Sequence, residues 1–501
     1  MSRWFESSGW RVRKFIFLSG LPGAGKSTLA NALRHEFGLE VVSTSDKLRK
    51  LSGSTDEAEL YEFGARLDQD RPEWFCQFGT GLMVVDAVRT HGQHLVARAR
   101  PDAICVNVQA DFDTRASRSA SRGRGLTNPS YWFDYPDFSW DSVRVPLGVA
   151  VRTIGYLIGA GSVDLVVGGQ YGSEGKGKLC AALAGRYGAL VRSGGPNAGH
   201  WVRERHYERC FHQVPSGALA NPEARLMIAA GATINLPGLE AEADSVGAFG
   251  RILVDRNTAL ISEHHKELEI PLRETIGSTS QGVGACAAER VARRDTGVPT
   301  MGRLFPDHSW TGVVAPALEA ILRHSDVLIE GTQGSALSLY HGPYPFVTSR
   351  DTNASGLLSE VGLAPSLVRD TWMVVRTFPI RVGGNSGPMR SELDWEAMAG
   401  QARVDRGVLM KRETTSTTGR QRRIAEFDWE QFNQACAINR PTKLFLTFAD
   451  YLDPDCAGTD DWHKLGAVSE FVHKLELASG AVVAGVSTGA MQHQTAWRVR
   501  P

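Results

Sequence analysis

Residues Val163–His200 read VDLVVGGQYGSEGKGKLCAALAGRYGALVRSGGPNAGH, and the fold of the chain follows from this stretch. The apolar run Val163–Val167 predicts a buried strand that enters a glycine-rich turn and leaves through an amphipathic helix. In that arrangement backbone N–H groups at the helix start wrap a phosphate, and Lys176 neutralises it. The stretch reads as a nucleotide site in an α/β domain. It departs from the standard phosphate loop, because Gln170 stands five residues before Gly175 and Lys176 is followed by Gly177 instead of Ser or Thr.

Outward from this stretch, 501 residues with 42% hydrophobic content are enough to bury large cores in two or three domains. Lys plus Arg and Asp plus Glu each number 55, so no net field draws the chain to a nucleic-acid backbone or an acidic membrane. Phosphate binding has to be local. The seven cysteines are scattered, odd in number and form no C-x-x-C pair, which argues for reduced thiols in a cytoplasm and against zinc. Arg3, Arg11, Arg13 and Lys14 precede the apolar run Phe15–Leu18, which is too short for a signal peptide. Pro146–Gly161 is interrupted by Arg152 and falls short of the roughly 20 residues that a bilayer span needs. The expectation is a soluble cytoplasmic protein with neither a membrane nor a nucleic-acid partner.

Upstream, Phe15–Leu18 predicts a short buried strand leading into Gly20-Leu-Pro-Gly23-Ala-Gly25-Lys26-Ser27, a full G-x-x-x-x-G-K-[ST] match with a helix, Thr28–Phe37, behind it. In such a loop the amides from Gly20 to Thr28 cradle a triphosphate, Lys26 reaches the outer two phosphates, and the Ser27 hydroxyl holds Mg2+. Gly81–Val85 predicts another strand, ending at Asp86-Ala-Val-Arg89. That places a carboxylate near the metal and Arg89 where an acceptor phosphate lies; a strand-end salt bridge is the plain alternative. After strand Ala103–Val108, Arg115, Arg118, Arg122 and Arg124 recur about once per helical turn. This half resembles in outline the nucleoside monophosphate kinases. The resemblance makes Arg115, Arg118 and Arg122 a lid over the phosphates and Asp46 an acceptor-side group, against the plainer readings of a solvated charged face and a turn residue. Tyr131–Trp140 reads as an aromatic loop, Val145–Ile158 as a closing helix and Gly159–Ser162 as a linker. The expected domains are therefore 1–160 and 161–501.

In the second domain the turn Gly168–Lys178 and Asn197-Ala-Gly-His200 resemble, in order and spacing, the GxQxGDEGKGK and NAGH elements of the adenylosuccinate synthetases. Further segments follow in the family's order. Ile276–Gly284 resembles IGTTGRGIG, Val291–Arg294 VARR, Glu330–Gly334 EGAQG and His341–Ser349 HGTYPYVTS. Ser416–Arg423 resembles ATTGRRRR, Thr447–Asp450 stands for TKLD with Phe448 at the lysine, and Ser487–Gly489 matches the terminal STG. The resemblance implies one large domain around a mainly parallel sheet, active as a homodimer. It implies an enzyme that adds L-aspartate to a purine nucleoside monophosphate using a nucleoside triphosphate and Mg2+.

Residue by residue, it puts Gly172, Gly175, Lys176 and Gly177 on the triphosphate, and Asn197, Thr279 and Thr348 on the purine nucleotide. Arg293 reaches into the partner subunit's site. Gln333 meets the purine six-position, His200 acts as general acid at O6, and the Gly199 carbonyl faces the metal. Thr418, Arg420 and Arg422 face the aspartate carboxylates, a task suited to the arginine fork. Asp450, Ser487 and Gly489 line the base of the triphosphate, and Phe448 leaves ATP and GTP both open. Apart from any resemblance, the apolar runs Arg225–Ile228, Ile252–Val254, Val327–Glu330, Met373–Val375 and Leu444–Leu446 predict buried strands between helices, which agrees with an α/β fold.

One letter of the main signature differs. Ser173 stands where the family has its catalytic aspartate, which draws the N1 proton of the purine and helps to hold the metal. A hydroxyl does not ionise near neutral pH, so Ser173 cannot take that part unaided. The same exchange marks the phage-type members that make 2-aminoadenylosuccinate from dGMP. Guanine carries an amino group beside N1, and a shorter hydroxyl makes room for it while offering an acceptor. The reading is ligation of L-aspartate to C6 of dGMP, giving 2-amino-2'-deoxy-N6-succinyladenylate, in a chain fused to a nucleotide kinase. A conventional synthetase acting on IMP and a non-catalytic nucleotide sensor both stay open.

Overall fold

A computed structural model describes residues 15–71, 74, 83–86, 88, 90–100, 103–121, 136–159, 161–294, 297–322, 325–415 and 419–499. Arg89, Arg122, Arg124, Thr418 and the first half of the aromatic loop lie outside them. The chain divides into two compact units, Met1–Gly161 with Val499–Pro501, and Ser162–Arg498.

The first unit is built on a five-stranded parallel sheet in the order Glu40–Ser43, Met83–Asp86, Phe15–Ser19, Ala103–Gln109, Phe138–Asp141. Its central strand is buried on both faces, which is why it reads as an unbroken apolar run. Ile16 and Leu18 pack into one core, Phe15 and Phe17 into the other, following the two-residue period of a strand. From Ser19 the chain turns directly into the glycine-rich loop and the helix Lys26–Phe37. At Gly20 a Cβ would fall 2.2 Å from the Val108 carbonyl oxygen, so only glycine lets the loop pass that close to its neighbour strand.

The second unit carries a ten-stranded sheet. Its order is Thr311–Gly312, Ile252–Asp255, Arg225–Ile228, Tyr187–Arg192, Asp326–Glu330, Val163–Gly168, Val368–Arg376, Lys443–Thr447, Val482–Ser487, Thr495–Trp497. Every neighbouring pair is parallel except the last. Alternate residues of the central strand feed opposite cores: Val163, Leu165 and Val167 face one, Val166 the other. Met373 and Val375 against Trp372 and Val374 repeat the alternation on the adjacent strand. Strands covered on both faces need helices between them, and the carboxyl ends of such a sheet are where loops converge on ligands. Here those ends deliver Gly169–Gly175, Ser193–Gly199, Gly331–Gly334, Phe448–Asp450 and Thr488–Gly489 to one edge of the unit.

All six expected strands of this unit are present, and most are longer than their apolar runs. The largest difference is Val368–Arg376, of which only Met373–Val375 was legible. The strand includes Arg369, paired with Asp164 and, at 2.7 Å, with Asp326, and Asp370, paired with Lys443 at 2.8 Å. Buried ion pairs replaced the hydrophobic signal. Among the described residues no helix is long and apolar enough to cross a membrane.

Candidate active site

In the second unit the turn after Val163–Gly168 is held by its own side chains. Gly172 and Gly175 take positive φ, 97° and 94°, and a Cβ on Gly172 would lie 2.9 Å from the Cα of Gln333. The Glu174 carboxylate accepts from the backbone N–H of Gln170 (3.0 Å) and of Gly172 (2.7 Å), and its other oxygen pairs with Lys176 Nζ at 2.8 Å. Lys176 also donates to the Gly172 carbonyl at 3.1 Å. The Gln170 amide bridges both backbone groups of Arg376 at 3.0 Å each, tying the turn to the next strand. The turn is thus pre-shaped before any phosphate arrives.

A cavity of about 240 Å³ opens beside this turn. Ser173 lines it together with Asn197, Gly199 and Gln333. Thr279 and Thr348 border it from loops beyond the sheet, and Arg422 closes it from the side. Six residues expected at a purine nucleotide and its aspartate partner therefore share one space with Gly199, expected at the metal. Gln333 sits at φ +59°, a conformation that costs a non-glycine residue about 1 kcal/mol or more and that clusters at functional sites.

His200 lies just outside that lining, 4% exposed. Its Nδ1 bonds the Glu330 carboxylate, while Nε2 is buried without a hydrogen-bond partner among the described residues. Burial, reinforced by the neighbouring Arg192 charge, pushes the imidazole down to about 3. Burial opposes the ionisation of Glu330, yet Arg192, at 3.0 Å, and His200 hold its carboxyl at about 2. The resting imidazole is neutral, and its Nδ1 lies between the Glu330 carboxylate and Arg192 Nη1, the latter at 3.1 Å. Nε2 is the ring nitrogen left to exchange a proton with a ligand.

Arg422 is positioned by a group that no motif announced. Its Nη1 donates to Glu413 Oε2 at 3.1 Å, while Glu413 Oε1 accepts from Arg376 Nη2 at 2.8 Å and from the Tyr451 hydroxyl at 3.0 Å. Burial works against the Glu413 charge, but the two arginines hold the carboxyl at about 2. Arg376 stacks on Phe448, its guanidinium carbon 3.7 Å from the ring centroid, and donates to the Ser173 carbonyl at 3.4 Å. Phe448 thus packs against a cation where a lysine was expected. Arg420 closes its loop through backbone bonds to Thr415 and is not part of the cavity lining.

A second cluster joins the helix start to the end of the chain. Lys178 donates to Ser487 Oγ at 2.7 Å and to the carbonyls of Gly489 and Gln494, each at 2.9 Å. Burial lowers this lysine to about 7, against the pull of Asp450 and Glu204. Burial also raises the Asp450 carboxyl. The expected base-lining residues Asp450, Ser487 and Gly489 are therefore grouped around Lys178, a residue within the opening stretch that its motif did not single out.

In the first unit Ser27 Oγ donates to Asp86 Oδ2 at 2.7 Å, and Asp86 Oδ1 is buried with no hydrogen-bond partner among the described residues. Lys26 Nζ rests on the carbonyls of Gly20 (2.7 Å) and Leu21 (3.2 Å). Arg118 reaches back to the loop, donating to Ser142 Oγ at 2.9 Å and to the Gly23 carbonyl at 3.3 Å. Gly23, Gly25, Thr28, Arg118 and Ser142 border a cavity of about 370 Å³. Arg115 lies on the same helix as Arg118, Phe112–Ala120. Asp46 is exposed in the first turn of the helix Thr44–Ser52 and pairs with Arg49 at 2.7 Å. A hydroxyl and a carboxylate with an unused oxygen fit a hard cation such as Mg2+.

The family model described as adenylosuccinate synthetase matches residues 165–305 and 307–457, more than half of the chain. The adenylosuccinate synthetase of Methanocaldococcus jannaschii is 36% identical over 342 residues, which is 66% of this chain and 95% of the relative. The chain belongs to the adenylosuccinate synthetase family. A solved family structure, the succinoaminodeoxyadenylate synthetase of cyanophage S-2L bound to dGMP and to dATP as an energy donor, aligns with TM-score 0.58 and 27% identity. It covers 68% of this chain and 95% of its own. The fully ligated adenylosuccinate synthetase of Plasmodium falciparum, at 20% identity and TM-score 0.60, covers 68% and 100% and shares the fold. A second model, described as an AAA domain, matches residues 16–128, where the structure has its P-loop kinase-like unit.

Set in this family, the synthetase unit keeps its purine-side motif residues on one cavity and its base-side residues on Lys178. Arg293 is exposed at the left-handed end of the helix Val283–Ala292, apart from the cavity. The groups that sequence reading passed over are Glu174, Lys178 and Glu413. The first two sit inside the signature, where their spacing from Lys176 was the available signal.

Proposed function

We propose that the synthetase unit joins L-aspartate to C6 of dGMP, using a nucleoside triphosphate and forming 2-amino-2'-deoxy-N6-succinyladenylate, a nucleoside diphosphate and phosphate. The observation that carries this reading is Ser173, a neutral hydroxyl lining the cavity beside Asn197, Gly199 and Gln333 where an aspartate would crowd the guanine amino group. The likeness to a cyanophage enzyme solved with dGMP supports it. O6 takes the terminal phosphoryl group as N1 loses its proton, and the aspartate amine then displaces phosphate from C6. Gln333 donates to O6, Arg422 orients an aspartate carboxylate, and Nε2 of His200 is the nearby site that takes up and returns a proton. Magnesium, held by the phosphates and the Gly199 carbonyl, would neutralise the transferring group.

IMP as the substrate is the second reading, favoured by the 36% identity to an archaeal adenylosuccinate synthetase. For the first unit we propose phosphoryl transfer between nucleotides, with Lys26 on the triphosphate and with Ser27 and Asp86 holding Mg2+. We further propose that two chains pair through the synthetase unit. Arg293 then serves the partner's cavity, and the pairing is supported by exposed apolar side chains near that helix end and elsewhere, Val291 at 76% and Tyr344 at 78%.

The deciding experiment is a mass-spectrometric product screen with L-aspartate, magnesium, ATP or GTP, and dGMP, GMP, dIMP or IMP in turn. A succinyl adduct with dGMP is expected. An adduct with IMP alone establishes the second reading, and triphosphate hydrolysis without any adduct overturns both.

A further inference from the structure

Behind Gln333 a chain of hydrogen bonds runs away from the cavity into the interior. The Glu360 carboxylate, itself bonded by Ser193 Oγ, accepts Arg350 Nε at 2.9 Å and is paired with Arg350 Nη2. Arg350 Nη1 donates to Thr332 Oγ1 at 2.9 Å. A guanidinium has no acceptor, so the Thr332 oxygen must accept this bond, and its own proton is left to donate. The nearest acceptor is Gln333 Oε1, 2.7 Å away. The other end of the amide, Nε2, then donates to Asn197 Oδ1 at 3.1 Å. Thr332 is 3% exposed, and Gly194 packs so closely that a Cβ there would lie 2.1 Å from the threonine oxygen. The other acceptor within reach of the hydroxyl, the Ser193 carbonyl, is farther away at 3.3 Å.

The direction of this chain has a chemical consequence. A glutamine amide is a donor at one end and an acceptor at the other, and either end fits most cavities. Here the acceptor end is occupied from behind. Of the two N–H bonds on Nε2, one goes to Asn197, and the second is the group the side chain presents to a ligand. A six-oxo purine offers an acceptor at that place; a six-amino purine offers a donor that meets another donor.

We propose that Thr332 is a positioning residue that fixes the Gln333 amide with its N–H outward, and so makes the site selective for purines bearing oxygen at C6 over those bearing an amino group. This rests on the synthetase reading above. It adds a source of discrimination separate from Ser173. It also accounts for release, because the six-position of the adduct carries nitrogen and no longer matches the outward N–H.

The test uses the full-length protein and equilibrium binding of dGMP, IMP and dAMP to wild type, Thr332→Val, Thr332→Ala and Thr332→Ser. The expected result is that Val and Ala variants weaken dGMP or IMP roughly tenfold while dAMP changes by less than about twofold, collapsing the six-oxo preference. Serine, which keeps the hydroxyl, is expected to restore it. In turnover, KM for the purine rises and KM for L-aspartate stays. The alanine variant adds no bulk and provides the reading should valine fail to fold. Wild-type affinity and wild-type selectivity in both variants, or equal weakening of six-oxo and six-amino nucleotides, overturns the proposal. A wild-type protein that binds neither dGMP nor IMP overturns the synthetase reading itself, which is a distinct result.

Discussion

Glu413 accepts Arg422 on one carboxylate oxygen and Arg376 on the other, and is itself 1% exposed. One buried anion thereby connects the arginine on the cavity wall with the arginine stacked on Phe448. Removing one partner of such a network leaves a charge uncompensated, at a cost of about 3–5 kcal/mol, whereas a neutral isostere keeps most of the bonds. Glu413→Ala is therefore expected to destabilise the synthetase unit in denaturant titrations. Glu413→Gln is expected to fold and to raise KM for L-aspartate about tenfold, with KM for the purine nucleotide little changed. Equal effects on both constants in the glutamine variant would count against a positioning role.

His200 gives the stability of this unit a pH dependence of known sign. Its folded value, about 3, lies below the ordinary 6.5, so the unfolded chain binds more protons between those limits. Stability from this group is complete above pH 6.5 and is lost as pH falls toward 3, by at most about 1.4 kcal/mol per pH unit. Glu330, held at about 2, adds a loss of the same sign below about pH 4.5. Denaturant midpoints measured from pH 7 to pH 5 should fall for the wild type. In His200→Gln the fall over that window should be shallower, since glutamine does not titrate.

The P-loop unit and the synthetase unit each have their own lysine at a helix start. Lys26→Met is expected to lower nucleotide-to-nucleotide phosphoryl transfer by about 10²-fold or more and to leave succinyl-adduct formation standing. Loss of both activities would mean that the two units act as one.

Ser173→Asp restores a carboxylate beside the purine N1. The ratio of kcat/KM for IMP to that for dGMP should rise about tenfold or more, because the carboxylate crowds the guanine amino group and draws the N1 proton of hypoxanthine. An unchanged ratio would remove Ser173 as the determinant of substrate choice.

The fold was legible in several strands covered on both faces by apolar layers, though not in Tyr187–Arg192 and Val482–Ser487, which are also buried. Arg225–Ile228, Lys443–Thr447 and the opening Val163–Gly168 all read as runs of buried residues. It was not legible where Arg369 and Asp370 enter a strand through buried ion pairs, since their partners Asp164, Asp326 and Lys443 come from three other strands. The cavity shows the same contrast. Ser173, Asn197, Gln333 and Thr348 stand in motifs whose order marks them. Glu413 stands in no motif, because what makes it functional is the three-dimensional meeting of Arg376, Arg422 and Tyr451 on one carboxylate. Thr332 stands inside the Glu330–Gly334 motif, yet its part depends on Arg350 and Glu360 behind it.

Lys178 and Ser487 are 309 positions apart in the chain and joined by one hydrogen bond. This places a time order on how the protein is made. The phosphate turn emerges from the ribosome well ahead of its far wall, Ser487 to Gln494, which begins 309 positions beyond Lys178. Until then the ammonium group of Lys178 has none of its three acceptors, and the synthetase site remains open on the side of the base. The strands described in the P-loop unit lie within Phe15–Asp141 and emerge before the synthetase unit begins. A nascent chain therefore forms the sheet around its P-loop first and completes the wall around Lys178 only after Ser487–Gln494 has emerged.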